Sequence, residues 1–167
     1  MRKNMILIPF VTLAIGLTAC STSQGNSEKK ERKDASAAVQ TDLKRPLVKF
    51  FMDLSNKINE KDADLNVYES KDQPTPEMKA KASLAAAAVS EQLNQIQIPS
   101  DLKNQKTEIG AAIKDFADSY QAIAEELKKD TPSLDKANAT FAQGEEKLGK
   151  VFKEGKLGKP NLSNAVN

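Results

Sequence analysis

Through most of this chain the apolar residues recur at intervals of three and four, the spacing of one face of an α-helix. In the first such segment Val39, Leu43, Leu47, Phe50, Phe51, Leu54 and Ile58 share a stripe. Pro46 interrupts it. A proline inside a helix forfeits a backbone hydrogen bond and clashes with the preceding turn, so the pattern predicts either a kink or a helix whose strong part begins near Arg45. Residues 61–73 are polar and read as the longest connection in the domain. Thr75-Pro76-Glu77 then supplies a helix start: a capping hydroxyl, a proline at the first helical position and an acid facing the positive end of the dipole. Met78, Ala82, Ala85, Ala86, Val89, Leu93 and Ile96 carry this second helix, and its alanines leave a thin surface that a neighbour can approach closely.

Ile98-Pro99 breaks the pattern, because a residue before proline avoids the helical region, and Ser100-Asp101 begins a new segment. Leu102, Ile109, Ile113, Phe116, Tyr120, Ile123 and Leu127 mark a third helix, with the regular seam of a helix packed nearly parallel or antiparallel to its neighbours. After the turn Asp130-Thr131-Pro132-Ser133, a fourth helix runs to Lys153 and buries Leu134, Ala137, Phe141, Leu148, Val151 and Phe152. Gly144 and Gly149 weaken it by up to about 1 kcal/mol each relative to alanine. Gly155 and Gly158-Lys159-Pro160 end it. Short second and third connections force antiparallel neighbours. The expected fold is therefore all-α, an antiparallel up-down-up-down four-helix bundle, with a three-helix core and a loosely packed first helix as the alternative. The bundle is expected to occupy residues 36–154, and residues 155–167 to form a loose tail.

The first 35 residues follow different rules. Residues 5–17 form an apolar run led by Arg2 and Lys3, too short to span a bilayer comfortably and suited to the core of a secretion signal. The run exits through Leu17-Thr18-Ala19-Cys20, which holds the only cysteine. This stretch resembles the lipobox of bacterial lipoprotein precursors: a leucine three positions before the cysteine and a small residue directly before it. The resemblance covers roughly the first 20 residues. It implies a signal peptide at residues 1–19, cleavage between Ala19 and Cys20, and a diacylglyceryl group on the Cys20 sulfur, with fatty acyl chains such as palmitate as the membrane anchor. It further implies a location on the extracytoplasmic face of a bacterial cell membrane. Ser21 lacks the Asp signal that, in that family, retains a lipoprotein in the inner membrane of two-membrane cells, and the Lys- and Asn-rich composition leans toward a Gram-positive source. Residues 21–35 contain no large apolar side chain and read as a flexible tether after Cys20, with a stretched reach of roughly 50 Å.

Removing such a signal changes the charge. The chain has 25 Lys and Arg against 23 Asp and Glu, and residues 1–19 hold two cations and no acid, so the mature chain is formally neutral. Neutrality argues against a nucleic-acid or general anionic-surface binder, since either needs a clear excess of Lys and Arg on the folded domain. With one cysteine and that sulfur lipidated, no intramolecular disulfide forms, and stability rests on the core.

The inventory for chemistry is thin. No histidine is present, which removes the commonest general base and the usual transition-metal ligand. A thiol nucleophile, a Cys/His zinc site and a serine-histidine triad are excluded with it. Ser83, Ser90, Ser119 and Ser133 have no fixed lysine partner and read as capping or solvated residues. Asp62, Asp64 and Asn66 alternate like the opening ligands of a calcium loop, but Val67 stands where the sharp turn needs glycine and Gln73 where a bidentate carboxylate belongs. Glu125, Glu126, Glu145 and Glu146 read as solubilising charge on polar helix faces. Tyr120 falls on the apolar seam and reads as core, whereas Tyr68, in the polar connection, is the better contact for a partner. No metal, cofactor or catalytic residue is expected. The expected function is that of a lipid-anchored, non-catalytic binding or accessory protein acting on an envelope protein, with a small-ligand binding lipoprotein holding a pocket between helices as the alternative.

Overall fold

The computed structural model describes residues 42–166, and these are all-helical. The expected signal peptide at 1–19, Ala19 and Cys20, the tether at 20–35 and Val39 lie outside the described residues. Five α-helices follow in order: α1 (Lys44–Asn59), α2 (Ala63–Glu69), α3 (Pro76–Asn94), α4 (Lys106–Glu126) and α5 (Asp135–Glu154), with a 3₁₀ turn at Ser100–Gln105 before α4. They form a helical bundle in which α4 makes the two most extensive interfaces, with α3 and with α5. None of these helices is long and apolar enough to cross a membrane.

Pro46 does not kink α1. It stands in the first turn, where its missing N–H needs no intrahelical partner, and the first backbone bond of the helix runs from the Leu47 N–H to the Leu43 carbonyl at 3.0 Å. The helix is not loosely packed: Leu47, Phe50, Leu54 and Ile58 are all buried. Phe51 meets Phe152 of α5 edge to face at 5.9 Å.

Thr75 caps α3 as its sequence requires, its hydroxyl accepting from the Met78 N–H at 3.2 Å with Pro76 at the first helical position. The third segment starts less regularly. Leu102 departs from helical geometry (φ −106°, ψ 18°) so that its fully buried side chain enters the core before α4 begins at Lys106.

Small residues let the helices close up. A β-carbon on Gly144 would fall 2.6 Å from the Phe116 ring, so α5 crosses α4 at a distance only glycine permits. Buried hydroxyls cross two interfaces: Ser83 donates to the Ala124 carbonyl at 2.7 Å, linking α3 to α4, and Ser119 to the Ala137 carbonyl at 2.8 Å, linking α4 to α5. Lys147 Nζ lies 2.6 Å from Asp115 Oδ2 across the same α4/α5 interface.

Two expectations are corrected. The polar connection at 61–73 contains α2, which buries Leu65 and packs on α3. The segment after α5 is not a loose tail, since Leu162 and Val166 are buried in the core. Glu145 holds that segment rather than serving as surface charge: its Oε1 accepts the Leu162 and Ser163 N–H groups at 2.8 and 3.0 Å. Asn59 Nδ2 donates to the Ala165 carbonyl at 3.0 Å, fastening the segment to the end of α1.

Helix α5 stops in a Schellman arrangement. The Leu157 N–H reaches back to the Phe152 carbonyl at 2.9 Å and the Lys156 N–H to the Lys153 carbonyl at 3.0 Å. The left-handed position is occupied by Lys156 (φ 55°), where glycine is usual. Gly155 instead makes room for α1, because a β-carbon there would come 2.7 Å from Leu47.

Candidate functional site

One polar recess lies among α2, α4, α5 and the C-terminal segment. Its volume is about 120 Å³, and Asn66, Glu69, Ser119, Tyr120, Asn138 and Ser163 bring their polar side chains to a lining that Leu65, Ile123, Phe141 and Val166 complete. The local sequence explains how α2 contributes. Asp62, Asn66 and Glu69 are spaced by four and three, so a helix lines them up along one side, while Leu65 one step away sinks into the core. Tyr120 is held from α4 by the seam predicted for it, its ring packed edge to face on Phe141 at 6.1 Å.

The electrostatics of this corner are one-sided. Asp62, at the start of α2, is 2 % exposed, and its Oδ2 has no hydrogen-bond partner. Burial pushes its carboxyl above the ordinary range, with the Asn66 side chain and its own backbone N–H pulling in the other direction. Glu69 is raised too, first by desolvation and then by the charge of Asp62. The Tyr120 hydroxyl is pushed up by burial and by both carboxylates, so it stays protonated and able to donate. Among the described residues no Lys or Arg forms an ion pair with Asp62 or Glu69.

Tyr68, the expected partner contact, is half-buried in α2 and packed against the core, and its neighbour Val67 is the exposed side chain there. Tyr120 is core, as its position on the seam predicts, but it also faces the recess. The calcium-like alternation does not converge. In a helix, residues two apart point to nearly opposite sides, so Asp62 is buried while Asp64 is exposed. No cluster of three metal-ligating side chains occurs among the described residues. Ser83 and Ser119 are occupied by backbone carbonyls, and Ser133 donates to Asp135 at 3.3 Å.

Sequence reasoning missed the recess because it read residues 61–73 as a loop. The signal was present in Leu65 and Tyr68, three apart, beside the polar row of Asp62, Asn66 and Glu69. Comparisons of the chain with protein families, with characterised proteins and with solved structures gave no match.

Proposed function

We propose that this chain is a lipid-anchored, extracytoplasmic, non-catalytic binding protein that engages an envelope protein partner. The observation that carries the reading is a side-chain-sized acidic recess with no cation of its own. Ligand pockets for small molecules run to roughly 300–1,000 Å³. At about 120 Å³ the recess suits the tip of one Lys or Arg from a partner, with Glu69 on the lining supplying charge, buried Asp62 acting from close by on Glu69 and Tyr120, and Tyr120 and Asn138 supplying hydrogen bonds. Val67, exposed beside it on α2, and half-buried Tyr68 extend the contact. The lipobox-like Leu17-Thr18-Ala19-Cys20 supports the anchor and the location on the outer face of the cell membrane. Two acyl chains at about 0.8 kcal/mol per buried methylene give lasting attachment. For the bundle we take α1, α3, α4 and α5 in the antiparallel up-down-up-down order, which the short connections at 95–99 and 127–134 support, with α2 as an addition between the first two.

A small-ligand binding lipoprotein is the second reading, favoured by the same convergent polar groups but limited by their volume to a few heavy atoms. The test is a photo-crosslinking residue at Val67 in growing cells. A discrete envelope protein captured by the anchored chain, and lost in both Cys20→Ala and Glu69→Arg, is the expected result. Capture that survives Glu69→Arg in the folded, anchored chain refutes the recess as the partner's seat. No capture alongside a saturable chemical-shift response to ethylammonium at Asn66 and Asn138 moves the assignment to a small ligand.

A further inference from the structure

The charge of the bundle is segregated, and one end differs from the rest. Leu43, the residue before α1, and Leu47 within it lie against Gly155, and Phe51 meets Phe152, so the N-terminal half of α1 runs beside the C-terminal turns of α5. Residues 42–53 and 149–160 together hold seven Lys and Arg against three Asp and Glu, whereas residues 42–166 as a whole hold 19 against 20. This end therefore carries a net charge of +4 and the remainder of the described chain −5.

Fold stability does not explain the cations on α1. Lys44 and Arg45 occupy its first turn, which contains no acid, although the helix dipole disfavours positive charge there. Asp42 offsets part of this by accepting from the Lys44 N–H at 3.2 Å, and Lys49 pairs with Asp53 at 2.6 Å in a fully hydrated setting. Beside them Val48 is 43 % and Met52 57 % exposed, and with Asp42, Lys44, Arg45 and Lys49 they line a shallow depression of about 440 Å³. On α5 and the residues after it, Lys150, Lys153 and Lys159 line a second groove with Glu146 and Leu157, and none of the three lysines has an ion-pair partner among the described residues. Apolar side chains set among cations match an anionic bilayer surface, where the aliphatic groups enter the interface and the cations meet headgroup phosphates.

Chain continuity selects the same end. Cys20 precedes Lys44, where α1 starts, by 24 residues of chain. The N-terminal end of α1 is therefore the described part of the bundle nearest to the anchor along the chain. We propose that the α1/α5 end of the bundle, centred on Arg45, Val48, Lys49, Met52 and Lys153, rests on the anionic leaflet and fixes the orientation of the domain, leaving the acidic recess free for its partner. This rests on the lipid-anchored reading above. The anchor supplies the affinity, and the basic end supplies the orientation.

The experiment uses the full lipidated protein in vesicles of phosphatidylcholine with or without 30 mol % phosphatidylglycerol. A lipidated Cys20 leaves a Met52→Cys thiol as the only one available for an environment-sensitive fluorophore; a Lys128→Cys variant, beyond α4 on an exposed connection, is the control. Nitroxide-labelled lipid is expected to quench the label at Met52 severalfold more than at Lys128, and only with phosphatidylglycerol present. In the Cys20→Ala chain each of Arg45→Gln, Lys49→Gln and Lys153→Gln is expected to weaken binding to the anionic vesicles about fivefold. Equal quenching at the two sites, or no dependence on phosphatidylglycerol, overturns the proposal while leaving the anchor intact. Absence of diacylglycerol on Cys20 by mass spectrometry overturns the anchor, and then the vesicle titration of the Cys20→Ala chain alone decides the basic face: salt-sensitive binding upholds it and no binding ends it.

Discussion

Replacing glycine by alanine inside a helix stabilises it by about 0.5–1 kcal/mol when space permits, because glycine loses more backbone freedom on folding. Gly144 and Gly110 both lie within helices, α5 and α4 respectively, and the structure gives them opposite outcomes. At Gly110 the nearest atom to an added β-carbon is Ile98 Cδ1 at 3.9 Å, an ordinary contact, so Gly110→Ala gains about 0.5–1 kcal/mol. At Gly144 the new carbon meets Phe116 Cε1 at 2.6 Å, Cδ1 at 2.8 Å and the Ala112 carbonyl oxygen at 3.1 Å. The Phe116 ring is fully buried and packed against Phe141 at 4.9 Å, so it has no room to turn. Relief requires moving α5 off α4. Overpacking of this kind costs roughly 1–3 kcal/mol, which outweighs the propensity gain and leaves Gly144→Ala about 1–2 kcal/mol less stable, a fall in Tm of roughly 3–8 °C. Urea denaturation of both variants checks the pair. A Gly144→Ala protein as stable as the parent would refute the close α4/α5 crossing, and with it the placement of α5 that builds one wall of the recess.

Leu162→Ala removes a fully buried side chain from the docked C-terminal segment and is expected to cost about 2–4 kcal/mol by urea titration, whereas a loose tail would show no change. Lys156→Gly relieves a left-handed lysine and is expected to stabilise by about 1 kcal/mol; a loss instead would mean that the helix ends elsewhere. Asp62 has a raised carboxyl, so its contribution to stability is fully present below the unfolded value near 3.8 and is lost as pH rises through the folded value. Asp62→Asn deletes that dependence, so its stability relative to the parent is expected to be higher at pH 7 than at pH 3.5; an equal difference at both would contradict an uncompensated carboxylate.

The long helices were legible because their apolar steps repeat over five or more turns, as in the seam from Ile109 to Leu127, and because Thr75-Pro76 marks a start in residues alone. Helix α2 was not: seven residues hold too little periodicity to separate a helix from a polar connection, and its stability comes from Leu65 settling on α3. The tail misled for the opposite reason. Glycine and proline at 155–160 do end α5, but a chain that stops being helical has not thereby left the core, and only the distant Glu145 and Asn59 determine where Leu162 and Val166 go. The recess follows from these two surprises, since α2 and the C-terminal segment supply half of its lining.

The docked segment at 161–166 also sets an order of events in time. Leu162 and Val166 fill core positions, and the Asn59 amide at the end of α1 is bonded to the Ala165 carbonyl, more than a hundred residues later in the chain. All five helices precede these residues in the chain, so the core positions they fill stay open until residue 166 has been made. The bundle therefore reaches its full stability only with this segment in place, since a core site left open forfeits the contacts that would fill it.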